Sequence, residues 1–331
     1  SKMDFPDEEV LQNLHAELPI YCMKSKSDNT AKQYRYAFNI FCKWCNNFKT
    51  VISSLPASDT HVAMYFIHLA KTSKSASKIQ CAVHAINWAH NLAGIQDPCK
   101  SSLVQSVKEG VLRECSKPVV KKEPITPEIL IKIVDKFASK DASLSDLRTA
   151  TICLLGYSGF LRFSEIANLK RVNISIQDSH MTLNIVKSKT DVYKEGNKVF
   201  IARTLSKSCP VNMLERYLDL ASIKSDSDEF IFRSLSYCKN SDSYKLRNVD
   251  RPLSYTRTRE IILFAFNSIG LESSKFGIHS LRSGGATAAA NFGINDRIFK
   301  KHGRWKSDKA KDGYVKESLQ EKLSVSKNLG I

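Results

Sequence analysis

The 331 residues, 42% of them hydrophobic, are enough to bury a sizeable core and to divide into two domains. With 50 Lys and Arg against 33 Asp and Glu, the formal charge of +17 favours a polyanionic partner, either nucleic acid or an acidic membrane surface. No apolar run approaches the roughly 20 residues of a membrane-spanning helix and no signal-peptide pattern is present, which argues against the membrane.

In chain order, "SDNTAKQYRYAFNIFCKWCNNF" predicts a helix that opens on a Ser/Asp/Asn/Thr cap cluster. Its Tyr34, Phe38, Phe41, Cys45 and Phe48 recur at helical spacing, so the CxxC formed by Cys42 and Cys45 reads as part of a packed face, not as a metal or redox pair. The nine cysteines are odd in number and scattered from Cys22 to Cys238, a pattern of reduced thiols in an intracellular protein. "SDTHVAMYFIHLAK", "TSKSASKIQCAVHAINWAHNLAG" with its stop at Gly94, and "KSSLVQSVKEGVLREC" complete a helical N-terminal domain over residues 1–115.

"SKPVVKKEPITPE" places Pro118, Pro124 and Pro127 around two lysines and reads as an extended linker over residues 116–124. A second domain follows over residues 125–331. Pro127 after Thr126 suits the first position of a helix, "TPEILIKIVDKFAS". "SDLRTATICLLGYSGFLRFSEIANLKRVNI" predicts a helix, a Gly-marked turn and a second helix. "HMTLNIVKSKTDVYKEGNKVFIAR" alternates around a Gly-Asn turn and predicts an antiparallel hairpin. Helices resume with "VNMLERYLDLAS" and "SYTRTREIILFAFNSIG", while "SDSDEF" and "SYCKNSDSYKLRN" read as surface loops. The fold class expected is mainly α with a small β-hairpin or sheet.

The chemistry concentrates in a few short motifs. Arg162 and Glu165 in "LRFSE" lie three apart on a predicted helix, so the carboxylate can orient the guanidinium. His279 and Arg282 in "HSLR" repeat the spacing, and Trp305 stands nine residues before Tyr314 with Gly303 and Gly313 nearby. Singly, each has an ordinary explanation: a surface ion pair, a capping or core histidine, packing aromatics. Together, two arginines able to grip non-bridging phosphate oxygens and a tyrosine hydroxyl able to attack phosphorus suit phosphoryl transfer through a covalent protein intermediate, without metal or other cofactor.

The ordered set Arg, Lys, His-x-x-Arg, Trp, Tyr resembles the tyrosine recombinase (integrase) family. "LRFSEIANLKRVNI" looks like the family's first arginine box, "HSLR" like its second, and "HGRWKSDKAKDGYV" like the segment that holds the third position and the nucleophile. The resemblance implies two domains clamping double-stranded DNA, one helical and core-binding, the other a mixed α/β, mostly helical catalytic domain. It implies Tyr314 as nucleophile, Arg162 and Arg282 as transition-state clamps, His279 as proton acceptor and Trp305 as donor to a non-bridging oxygen. Trp at that position is the Cre-like alternative to the family's usual His, leaving His302 outside the role. Glu165 becomes an orienting group. The general acid is one of three lysines, Lys187, Lys189 or Lys194, with Lys189 in "KSKT" preferred because it stands just before the turn. Expected DNA contacts are Lys32, Gln33, Arg35, Lys74 and Lys78 in the first domain, and Arg257 and Arg259 in the second.

The resemblance also implies a homotetramer on two DNA duplexes, in which the tail over residues 315–331, with apolar Val315, Leu319, Leu323 and Val325, is exchanged between protomers. The function expected is site-specific recombination through a 3′-phosphotyrosine; the alternatives are relaxation of DNA in the manner of a type IB topoisomerase and a domesticated DNA-binding protein. A eukaryotic DIRS-like or Crypton-type mobile element is the expected source, with nuclear localisation, the other case being the bacterial cytoplasm.

Overall fold

The computed structural model describes residues 8–118, 120–186, 196–317 and 319–330 and divides into two compact units, Ser1–Val120 and Lys121–Ile331. The first contains α1 (Glu9–Lys24), α2 (Asp28–Cys45), α3 (Asp59–Ser73), α4 (Ala76–Leu92) and α5 (Ser102–Cys115). Helices α2 to α5 each begin after a serine whose hydroxyl accepts a first-turn N–H: Ser27 from Thr30, Ser58 from His61, Ser75 from Lys78 and Ser101 from Val104. Their inner faces meet in a core of Phe41, Trp44, Tyr65, Phe66, Ile79, Ile86 and Val104. Cys45 is buried in that core, and burial first, then the neighbouring Cys42, pushes its thiol up to about 11. It is a packing residue, as its helical spacing indicates. The sequence reading passes over α1, whose Leu11, Leu14 and Leu18 have helical spacing but enter no core: no residue of that helix is buried.

The second unit opens with α6 (Pro127–Phe137), capped by Thr126, and α7 (Leu144–Ser158). From Leu147 to Gly156 every residue of α7 is buried, as expected of a helix surrounded by others. A short α8 (Phe163–Ala167) leads into an antiparallel sheet of β1 (Ile174–Ile176), β2 (His180–Ile185) and β3 (Asn197–Ala202), in that order. Leu183 faces Val199 across β2 and β3, and alternate residues point into the core against α7. The second helix read from "LRFSEIANLKRVNI" is thus only five residues long, and its end becomes a strand.

After α9 (Pro210–Leu220) comes a second hairpin, β4 (Leu235–Cys238) and β5 (Ser243–Leu246), where the sequence reads as a loop. Its polar residues hide the strand signal; Tyr237 and Tyr244 form a cross-strand aromatic pair, with ring centroids 5.3 Å apart. The chain ends with α10 (Tyr255–Ser268), α11 (Ile278–Asn291), α12 (Asp296–Gly303), α13 (Asp308–Asp312) and α14 (Leu319–Lys327). No helix among the described residues is long and apolar enough to cross a membrane.

The small-residue run of α11, "SGGATAAA", has a packing cause. A Cβ on Gly285 would run into the carbonyl oxygen of Tyr157 and the ring of Phe160, so only glycine lets α11 lie this close to the end of α7. That contact brings the second arginine box against the first.

Candidate active site

Four separated segments of the second unit converge: the turn after α7, one face of α11, the end of α12 and the turn after α13. Phe160 takes a left-handed conformation, φ 46°, uncommon for a bulky side chain. The turn presents its carbonyl to two guanidinium groups, those of Arg282 and, at 2.7 Å, Arg304. Arg282 is fully buried and also donates to the Gly303 carbonyl at 2.5 Å.

Arg162 and Glu165 do meet, but not as two residues on a helix face. Arg162 is the N-cap of α8 in extended conformation, with φ −78° and ψ 157°. Glu165, three residues on, reaches back to accept its backbone N–H at 2.8 Å and its guanidinium at 2.8 Å. The reading of this pair as an ordinary surface ion pair fails as well. The Glu165 side chain is fully buried and accepts a third bond, 2.8 Å from Arg304 Nη2, while Arg282 Nη1 lies 3.9 Å away.

Burial alone would raise the Glu165 pKa. The Arg304 charge, the Arg162 N–H and the charges of Arg162 and Arg282 more than offset it, and the group is held below the usual carboxylate range. Burial, then the like charges of Arg162 and Arg304, lower the pKa of Arg282. Three guanidinium groups therefore surround one carboxylate, and the cluster is left short of negative charge.

The aromatic side chains close over this cluster. The Arg282 guanidinium lies 4.9 Å from the Trp305 ring centroid and 4.8 Å from that of Tyr314, within cation–π range. Trp305 and Tyr314 are 5.7 Å apart, and His279 stands 6.3 Å from Tyr314, edge to face. The Trp305 indole N–H is buried and has no acceptor among the described residues. Helix α11 fixes the backbone of the tyrosine: Ser283 Oγ donates to the Tyr314 carbonyl at 2.6 Å, and Thr287 Oγ1 to the same oxygen at 3.5 Å. Beside Tyr314 opens a cleft of about 580 Å³, lined by His279 and by Lys121, Lys122, Lys316 and Lys322 together with the carboxylates of Glu123, Asp312 and Glu317, of which Glu123 pairs with Lys316. A phenol over a positively charged arginine cluster at the mouth of an open cleft is suited to attack on a phosphodiester.

The phage integrase family matches residues 125–321, more than half of the chain and all of the segments just described. The chain belongs to that family. It is a tyrosine-type site-specific DNA recombinase. A curated relative, the integrase/recombinase XerD homologue of Selenomonas ruminantium, is 29% identical over 298 residues, spanning 89% of this chain and 83% of the relative. Among solved structures, the XerH recombinase bound to its difH substrate aligns with a TM-score of 0.60 at 15% identity, covering 91% of this chain and 78% of that one. The Tn1549 transposon integrase in complex with transposon right-end DNA aligns at 0.59 and 12%, covering 95% and 99%. The lambda integrase tetramer on a Holliday junction aligns at 0.56 and 17%, covering 93% and 77%. At these identities the solved structures bear on the fold alone.

In this integrase, then, six of the seven residues expected at the active site come together: Arg162, Glu165, His279, Arg282, Trp305 and Tyr314. The seventh, Lys189, and its alternatives Lys187 and Lys194, lie outside the described residues. His302 is engaged with the turn after α7. Its Nε2 bonds the Ser158 carbonyl at 2.9 Å, its ring packs edge-on against Phe160 at 4.6 Å, and burial lowers its pKa. Two residues at the site were missed. Arg304 had no signal beyond its place next to Trp305, and Ser283 lay hidden in the small-residue run.

Of the expected DNA contacts, Lys32, Gln33 and Arg35 are exposed on the first turns of α2, and Lys78 on the first turn of α4. Lys74 directly precedes Ser75, the N-cap of that helix, and is itself the left-handed C-cap of α3, φ 46°, where the chain reverses between the two. Arg257 and Arg259 are exposed on the first turns of α10, with Arg257 paired to Glu260 at 2.9 Å.

Proposed function

We propose that this integrase cuts and rejoins DNA strands by attack of Tyr314 Oη on the scissile phosphate, giving a 3′-phosphotyrosyl link and a free 5′-hydroxyl. The observation that carries the proposal is the arrangement of Tyr314 over Arg282, in a buried cluster of three arginines that holds only one carboxylate. A buried excess of positive charge is costly unless an anion completes it, and a phosphate gaining charge in its transition state does so best. Arg162 and Arg282 grip the non-bridging oxygens and the Trp305 N–H donates to one of them. His279 takes the phenolic proton. Because Tyr314 covers Arg282, a phosphate reaches that arginine only as the ring swings aside, which ties placement of the nucleophile to arrival of the substrate.

Energy is retained in the phosphotyrosine bond, so a 5′-hydroxyl from a partner strand reverses the step and completes exchange. A suicide substrate nicked just beyond the scissile phosphate tests the reading. Covalent capture excludes a protein that only binds DNA, and joined product from two duplexes excludes one that only relaxes it. The absence of any adduct would defeat the proposal.

Departure of the 5′-oxygen needs a proton, and Lys189 is proposed to supply it. Lys189→Ala is expected to slow cleavage about a hundredfold or more, and a 5′-bridging sulfur to restore the rate, since a thiolate leaves unprotonated. Sulfur that fails to rescue would move the acid to another residue.

The assembly proposed is a tetramer on two duplexes, linked by exchange of the segment after Tyr314. The lambda integrase neighbour is a tetramer on a junction. Here α14 is short and its Leu323 is exposed, so the helix is marginal without a partner surface. Val315 is not part of a tail stripe; it packs with Phe160, Ala286, Phe299 and Trp305 before the helix begins. Deleting the chain after Lys316 is expected to leave binding to a single site intact and to abolish the two-duplex complex. Mass photometry on DNA reads the difference, and unchanged tetramers would show that the tail docks within its own protomer.

A further inference from the structure

Arg304 is the one arginine of the buried cluster to which the reaction above gives no task. It sits between Gly303 and Trp305 in left-handed conformation, with φ 54° and ψ 41°, a position where a residue with a Cβ is disfavoured. Its side chain is nevertheless buried and its bonds are many. Nη1 donates to the carbonyls of Gly159, at 3.1 Å, and His302, at 2.7 Å; Nη2 donates to the carbonyl of Phe160, at 2.7 Å, and to Glu165 Oε2, at 2.8 Å.

Two of these four acceptors also face Arg282. Its Nη1 also bonds the Phe160 carbonyl, and it stands 3.9 Å from that same Glu165 Oε2. Arg304 and Arg282 therefore compete for one carboxylate, and Arg304 holds it. Glu165 is hydrogen-bonded to Arg162 and Arg304, and only at ion-pair distance from Arg282. The guanidinium beneath Tyr314 is left with two backbone carbonyls and only the longest of the three contacts to the carboxylate.

We propose that Arg304 is a positioning residue of the strand-cleavage reaction: by occupying Glu165 it keeps the Arg282 charge available to the scissile phosphate, and it ties the Trp305 segment to the Arg162 turn. The inference rests on the recombinase reading of this site. Without Arg304 the carboxylate is free to close the remaining distance to Arg282, pair with it and draw it away from the phosphate. Misplacement of a clamping group by about 1 Å is enough to slow a reaction on the order of a hundredfold.

Arg304→Gly is the informative variant, because glycine adopts this backbone conformation without strain and so offsets part of the lost side-chain bonding. Arg304→Lys retains a cation for Glu165 and is the conservative control. Single-turnover cleavage is measured on a suicide substrate carrying either a normal scissile phosphodiester or a methylphosphonate, in which a methyl group replaces one charged oxygen, with DNA affinity and melting temperature measured alongside. The glycine variant is expected to bind DNA as the unaltered protein does and to cleave the phosphodiester about ten- to a hundredfold more slowly. On the methylphosphonate, which has less charge to neutralise, most of that deficit disappears. The lysine variant keeps most of the rate.

A glycine variant as fast as the unaltered protein on the phosphodiester, or equally slow on both substrates, overturns the proposal; the second outcome marks a merely structural role. Should the glycine variant not fold, the lysine variant decides: it supports the proposal by retaining the phosphodiester rate and overturns it by folding without doing so. Failure of the unaltered protein to cleave at all is a different result, and counts against the proposed function instead.

Discussion

Tyr314→Phe is expected to abolish the covalent DNA adduct while leaving DNA affinity within about twofold, since one hydroxyl contributes little to a phosphate-dominated interface. The substitution removes one oxygen. The ring that packs on Trp305 and over Arg282 remains, and so does the backbone carbonyl held by Ser283 and Thr287. Lost cleavage is then assignable to the nucleophile and not to collapse of the site. Denaturing gels after incubation with the suicide substrate read the adduct, and fluorescence anisotropy reads the affinity. A persistent adduct would move the attacking oxygen to another side chain. A protein that lost affinity along with the adduct would show that Tyr314 is needed to hold the cluster together.

Much of this site is legible in the sequence because recombinase chemistry is written in short contiguous motifs. His279 and Arg282 are three apart on one helix, and the geometry that joins them is that helix. Trp305 and Tyr314 are likewise carried on one short stretch, and their residue types already limit what they can do. What the sequence conceals is whatever depends on distant backbone. Arg304 meets Glu165 across 139 positions, through a left-handed turn that no pattern of residue types announces. Arg162 and Glu165 show the same limit at short range. Spacing of three fits both a helix face and a carboxylate that reaches back to its own N-cap residue, and only the backbone angles at Arg162 separate them.

The same distinction runs through the fold. The capped, periodic helices α2 to α7 are visible because each carries its own start signal and apolar face. The hairpin β4–β5 is not, since its stability comes from a tyrosine pair formed across the turn and its residues are otherwise those of a loop. Helix α1 escapes for the opposite reason: its apolar spacing is present, yet none of its residues is buried and its first cap has no side-chain bond. The glycines in α11 read from sequence only as members of a small-residue run. In the structure they mark the closest approach of two helices, and that approach delivers Arg282 to the Phe160 carbonyl.

Glu165→Gln is expected to be the most destabilising single change at the site, although it alters no volume. The carboxylate is fully buried and serves three cations at 2.8, 2.8 and 3.9 Å. An amide accepts through one oxygen only, and its NH₂ faces a guanidinium donor. Three buried positive charges then lose their counter-ion, a defect that costs about 3–5 kcal/mol where one partner of a buried pair is removed. For a catalytic unit of this size that corresponds to a fall in melting temperature on the order of 10 °C.

The effect has a pH signature. Because the folded-state pKa of Glu165 lies below its ordinary value of 4.5, the stability it contributes is fully present above about that pH and is lost as pH falls through the folded value. The melting-temperature gap between the unaltered protein and Glu165→Gln should therefore be widest near neutral pH and close progressively below pH 4.5, as the unaltered carboxyl also becomes neutral. Calorimetry of both proteins across that range makes the comparison. A gap independent of pH would mean that lost packing, not lost charge, destabilises the variant, and the absence of any gap at neutral pH would mean that solvent ions already balance the arginines.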